Sequence, residues 1–253
     1  MLFRRSAARV HAPRPKPGDR VQVQGSPVRL AVNPRARRIS LRLDVARREV
    51  VATAPSLHAL ADAVAFAHSR ADWIATRLSA LPQPVGLKPG AVIEVSGQPC
   101  RLEQAAMRIR PTLKPAVGDE PARLIAWGEG PAFSRSVLRA LRAEALVRLT
   151  ARTQAHCSAL GQPLPGLALQ DARSRWGSCR GGAPGRAAAI RYNWRLVLAP
   201  PEVLDYVAAH ECAHLVQGDH SPRFWAVVHT LYGDPARARA WLKLHGARLH
   251  AVG

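Results

Sequence analysis

The sequence predicts an α+β protein, with a mainly antiparallel β-rich N-terminal half holding one helix and a second half built around a helix that carries chemistry. Two stretches alternate apolar and polar residues as strands do, 28–53 and 91–127. Three others space their apolar residues as helices do, over 56–81, 131–160 and 201–218. The expected organisation is therefore a flexible basic tail over 1–27, a β-rich subdomain over 28–128 and a second domain over 129–253.

The tail is rich in Arg, Pro and Gly and has no apolar period, which leaves it nothing to bury. Val28, Leu30 and Val32, then Ile39, Leu41 and Leu43, then Val50 and Ala52 predict three short strands, with turns at Asn33-Pro34 and Ala46-Arg47-Arg48. Ser56 is placed to cap a helix reaching about Leu81, with Leu60, Val64, Ala67, Ala71, Ile74 and Leu78 inward and Pro82-Gln83-Pro84 ending it. Strands resume at Val92–Val95, Cys100–Glu103, Met107–Arg110 and Leu124–Trp127, and arginines alternating with apolar residues give each a wet and a dry face. The segment Pro111–Pro121 reads as an added loop. A long helix from near Pro131 to Leu160 offers Val137, Leu138, Leu141, Leu146 and Leu149 to the core and is expected behind the helix that follows. Further strands are expected at Leu167–Leu169, near Arg175-Trp176-Gly177 and at Ala188–Trp194, and a last helix over 234–248 around Ala238, Trp241 and Leu244. Trp176 and Trp194 read as core anchors.

Composition excludes several classes. At 253 residues and 47% apolar content the chain can bury a full core. No apolar run reaches the length of a membrane span, and no apolar stretch follows Arg4-Arg5, so cytoplasmic residence is expected. Cys100, Cys157, Cys179 and Cys212 form no C-x-x-C pair, which argues against a disulfide framework or a cysteine zinc site. The net charge of +20 comes almost wholly from arginine, since Lys16, Lys88, Lys114 and Lys243 are the only lysines. Spread along the chain with few aromatics, those arginines read as compositional bias before a nucleic-acid surface. Nucleic acid stays an alternative partner, and oligomeric state is left open.

The chemistry is concentrated at His210-Glu211-Cys212-Ala213-His214, with His220 following. On a helix, positions i and i+4 share one face, so two imidazoles can grip one zinc ion with a glutamate held beside it. Pro200-Pro201 suits the first turn of that helix and Gly218 its stop, and Ser221-Pro222 looks like the start of another. His220 then sits on a tight turn between two helices as the third ligand, with His229 as its rival. Catalytic zinc takes three protein ligands and keeps a fourth position for water, while a nearby carboxylate serves as base. That assigns zinc to His210, His214 and His220, and the general base to Glu211. Cys212 points off this face as a small apolar residue.

The segments Ser174–Cys179, Tyr192–Pro201, Val203–Val207, His210–His214 and His220–Trp225 together resemble the YgjP-like metallopeptidase family, related to the SprT proteases. Arg38–Leu43 and Ala71–Ile74 extend the resemblance more loosely, and the glycine-rich insert Gly181–Gly185 departs from it. The resemblance implies a zincin-like core with the metal helix under a small sheet, one zinc ion and a polypeptide substrate. It also implies an edge strand over Ala189–Trp194 that takes the substrate backbone, which makes Ile190, Tyr192 and Asn193 candidate substrate-binding residues. Asp205 and Asp219 are equal candidates to orient an imidazole, and Tyr192, Tyr206 and Tyr232 to donate to the oxyanion. Arg175 reads as structural. Two alternatives stand beside the peptidase: a DNA-associated protease recruited by its basic surface, and a non-catalytic zinc-stabilised binding module.

Overall fold

A computed structural model describes residues 14–45, 47–172, 175–182 and 187–253. The first half of the expected tail, Ala46 of the second turn, Ser174 and residues 183–186 of the insert lie outside the described residues. The chain forms two compact units that divide between Leu81 and Pro82, whereas the sequence suggested 128/129.

In the first unit, β1 (Arg20–Val23), β2 (Ser26–Val32), β3 (Ser40–Asp44) and β4 (Glu49–Ala54) form a sheet of order β1-β2-β4-β3. The β2–β4 pairing is parallel and the other two are antiparallel. Residues 20–26, expected in the tail, belong to this sheet. Gln24 and Gly25 both take positive φ, 48° and 80°, and so make the two-residue turn whose twist matches paired strands. The expected single helix is two, α1 (Leu60–His68) and α2 (Ala71–Ser79). Arg70 breaks the helical path at φ −118°, and α1 starts four residues after Ser56 with no side-chain cap. Leu60, Ala67, Ala71 and Ile74 are buried against Val28, Leu30, Val50 and Ala52, as the periodicity required.

The second unit opens with β5 (Val92–Val95), β6 (Gln98–Gln104), β7 (Thr112–Lys114) and β8 (Ala122–Ala126). Their order is β5-β6-β8-β7, with the same senses of pairing as in the first sheet. Val28 pairs with Val50 and Cys100 with Ala122, each partner 72 positions further on. The residues repeat as well: Val23, Gly25, Pro27, Arg29 and Leu30 recur as Val95, Gly97, Pro99, Arg101 and Leu102. The sheet is thus built twice from one pattern. The third strand falls at Thr112–Lys114, inside the segment read as an added loop, and Met107–Arg110 forms none.

Leu102, Leu124 and Ala126 of this sheet are buried in one core with α3 (Gly130–Ala159), which explains why β5–β8 belongs with the C-terminal half. Val137, Leu141 and Leu149 of α3 are buried as expected, but Leu146 is 41% exposed and Ala145 takes the inward place. The chain continues through β9 (Gly166–Gln170), β10 (Gly177–Arg180) and β11 (Ala189–Asn193), in the order β10-β11-β9. A 3-10 turn over Trp194–Leu198 leads to α4 (Pro201–Ala213), α5 (Pro222–Tyr232) and α6 (Ala236–His250). The β5–β6 turn holds that 3-10 segment, with Ser96 N donating to Val197 O at 2.8 Å and Gly97 N to Leu198 O at 3.1 Å. Gly97 has φ +70° and its Cα faces Pro200, where a side-chain carbon would lie 3.2 Å from the Pro200 Cα. In α6, Ala238 is buried while Leu244 is 74% exposed.

Candidate metal centre

α4 begins at Pro201, where a missing N–H is no loss, and buries Val203, Leu204, Val207, Ala208, Cys212 and Ala213. α3 lies along its back. Cys212 Sγ is 3.9 Å from Cys157 Sγ and 3.8 Å from the Thr153 carbonyl, so it points into this seam and away from the histidines. Asp205, two turns further back, accepts from Arg152 Nε at 2.6 Å and Nη2 at 2.8 Å, and contacts His156 Nε2 at 2.6 Å. The pair clamps α4 to α3.

The helix ends at Ala213, one turn before Gly218. His214 caps it, and Gln217 N bends back to the Ala213 carbonyl at 2.9 Å. Gly218 is not in the left-handed region and is not the stop. Asp219 Oδ1 then accepts from Ser221 N at 3.1 Å, which tightens the turn into α5. Ser221 occupies the cap position without a side-chain cap bond.

This turn carries His220 back over α4. His210, His214 and His220 each offer a ring nitrogen, all within 4.8 Å of one another. His210 Nε2 and His220 Nε2 lie 3.2 Å apart. Two nitrogens on one tetrahedral zinc, each about 2.0–2.1 Å from the ion, stand roughly 3.3–3.4 Å apart. The spacing therefore fits one shared cation. His229, the rival, is not in the group.

Phe224, fully buried on α5, touches all three imidazoles, with ring centroids at 4.5 to 4.9 Å. It holds the rings from behind. His214 Nδ1 is 3.0 Å from the Gln217 carbonyl, which directs its other nitrogen toward the cluster. That backbone carbonyl does what Asp205 or Asp219 was expected to do, for Asp205 is engaged by α3 and Asp219 by its own turn. Burial lowers His210 to a pKa of about 4, helped by His214, His220 and Arg239, and burial lowers His214 as well. Neutral imidazole is the form that binds a metal.

Glu211 is 5% exposed. Burial pushes its carboxyl up to about 7, against the opposing charge of Arg175. It packs against β10 at Gly177, where a Cβ would lie 2.6 Å from Glu211 Cδ and Cγ and would push the carboxyl aside. His210 and Glu211 together border a cavity of about 350 Å³. Neither Gly177 nor Phe224 was singled out from the sequence. Their signal was membership of the two motifs flanking the histidines, which carry no chemistry of their own.

The expected substrate residues are elsewhere. β11 is the middle strand, paired on both sides by β10 and β9, and has no edge left to bind a peptide. Ile190 and Asn193 are 0% and Tyr192 1% exposed. Tyr192 OH bonds Thr153 Oγ1 at 2.9 Å. The Asn193 side chain accepts from Arg195 N at 3.0 Å and donates to Ala172 O at 2.7 Å. All three hold the core together, and among the described residues β10 and β9 are the edge strands, β10 being the one packed against Glu211. Of the tyrosines, Tyr206 borders the cavity, and Tyr232 stands edge-on to it at 5.6 Å. Trp194 is a buried anchor as expected, whereas Trp176 stacks on His250 at 4.8 Å and lines the cavity. Arg175, read as structural, is exposed and also lines it.

The family model described as "YgjP-like, metallopeptidase domain" matches residues 37–245. No curated protein and no solved structure matches the chain.

Proposed function

The chain belongs to the YgjP-like metallopeptidase family, and from that premise we propose that it hydrolyses peptide bonds at the His210–Glu211–His214–His220 site with one zinc ion. The observation that carries this reading is the convergence of three imidazoles beside a buried carboxyl at the edge of one cavity. His210, His214 and His220 would hold zinc through ring nitrogens. When bound, zinc supplies an acidified water and a Lewis acid for the scissile carbonyl.

Glu211 is the base that takes a proton from water, and it can return that proton to the leaving amine. Its raised pKa suits both halves of the task, because a group near the working pH gives up a proton as readily as it takes one. Gly177 keeps the carboxylate where it is by leaving room for it. Substrate backbone pairs with the free edge of β10, whose N–H and C=O groups recognise an extended chain irrespective of its side chains. A structural zinc module would close the fourth position with a protein ligand and would have no use for a buried glutamate beside it.

The test is Glu211→Gln, measured for zinc content and for casein hydrolysis. Zinc should remain at one per chain and hydrolysis should fall at least a hundredfold. Undiminished turnover would remove Glu211 from the reaction.

A further inference from the structure

The cavity beside Glu211 has a chemical character of its own. Trp176, Val207 and Leu242 give its lining apolar surface. Two guanidinium groups line it as well, Arg175 just before β10 and Arg239 on α6. Arg239 lies over the Trp225 ring at 4.8 Å, which fixes its direction. Both arginines are exposed to the cavity, and neither is within ion-pair distance of a carboxylate among the described residues.

We infer that this cavity is a specificity pocket for a substrate carboxylate on the residue next to the scissile bond. The inference rests on the peptidase reading of the same site. Its geometry follows from shared walls: His210 and Glu211 form one side, so whatever enters the pocket is attached within a residue or so of the bond being cut. A guanidinium offers a planar fork of donors that fits a carboxylate, and a second cation lining the same cavity adds to the positive charge. The apolar wall covers the methylenes of a glutamate or the side chain of a terminal residue. Glu211 is the opposing charge, and against two guanidinium groups it leaves the pocket net positive. The carboxylate has two sources in a polypeptide, an Asp or Glu side chain or a free C-terminus.

Zinc-loaded wild type and Arg239→Glu are incubated with a proteome-derived peptide library, and cleavage sites are read by mass spectrometry. Enrichment of Asp and Glu at one position flanking the cut, turned by Arg239→Glu into a preference for Lys and Arg, supports the pocket with a side-chain source. Release of single C-terminal residues, lost when the library is amidated, supports it with a terminal source. Cleavage indifferent to both carboxylates overturns the pocket and leaves the peptidase reading standing. A wild type that cuts nothing ends the peptidase reading, and the pocket is then decided by binding. Fluorescence anisotropy of labelled peptide pools carrying Glu or Gln at one fixed position is measured on zinc-loaded Glu211→Gln, with and without Arg239→Glu. Acidic pools bound about tenfold tighter than their amide counterparts, an advantage abolished by Arg239→Glu, support it. Equal affinities overturn it. Arg175→Gln should weaken the same preference in the same direction.

Discussion

The hydrogen side chain of Gly177 decides where the proposed base stands. A methyl group there would meet Glu211 Cδ at 2.6 Å, well inside contact distance, and either the carboxylate or β10 must move. Gly177→Ala should therefore leave the three histidines and zinc content intact and lower casein hydrolysis roughly a hundredfold, since a displacement near 1 Å is enough for such a loss. Parallel metal analysis and kinetics check it, and a variant with wild-type kcat would show that the position of Glu211 is not critical. The same reading explains why Glu211 and the two ligands were legible from spacing while Gly177 was not. His210, Glu211 and His214 are neighbours on one helix, so sequence distance is spatial distance. Gly177 is 34 positions from Glu211 and meets it only after β10 is laid over α4.

Helices and strands were legible to different degrees. α3 was predicted to within a residue, because 30 residues of regular spacing outweigh local noise. The helix over 56–81 was not, because Arg70 breaks the backbone without a proline or glycine to announce it. The resemblance implies an edge strand over Ala189–Trp194, yet β11 is central, because neither a likeness of motifs nor alternation reports which edges are paired. The contact that matters most between elements is the α3–α4 clamp. Asp205→Asn weakens two bonds from Arg152 and leaves His156, 4% exposed, without its charged partner. The variant should lose about 1–3 kcal/mol of stability, seen as a lower urea midpoint at unchanged slope. A midpoint equal to wild type would mean the clamp contributes nothing.

Charge governs the molecule as a whole. With 37 basic residues against 17 acidic ones, every carboxylate that protonates adds to an excess already at +20. Burial alone would raise the carboxyls of Glu49, Asp171 and Asp205, but bonds and charge from Arg20 and Arg29, from Arg195, and from His156 and Arg152 hold all three below their ordinary values. Depressed folded-state values mean that the stability these groups contribute is present above the ordinary carboxylate range and lost as pH falls through the lower folded values. Thermal unfolding followed from pH 7 down to 3 should show a steep loss below the ordinary glutamate carboxyl value of 4.5. Glu49→Gln should be less stable than wild type at pH 7 and approach it at the acid end, and added salt should soften the decline by screening the repulsion. A constant gap between the two proteins at all pH values would show that Glu49 does not titrate with folding.

By itself the sequence determined the class of fold, the two regions of strand, the long helix and the three imidazoles with their glutamate. Those are properties of near neighbours, set by period, propensity and the geometry of one helical turn. Only the tertiary structure decided that β5–β8 joins the C-terminal core, that one strand pattern occurs twice, that β10 and not β11 presents an open edge, and that Arg175 and Arg239 line one cavity. Each of these depends on which distant surfaces bury one another, and a single chain of letters records that choice only through packing of side chains far apart in order.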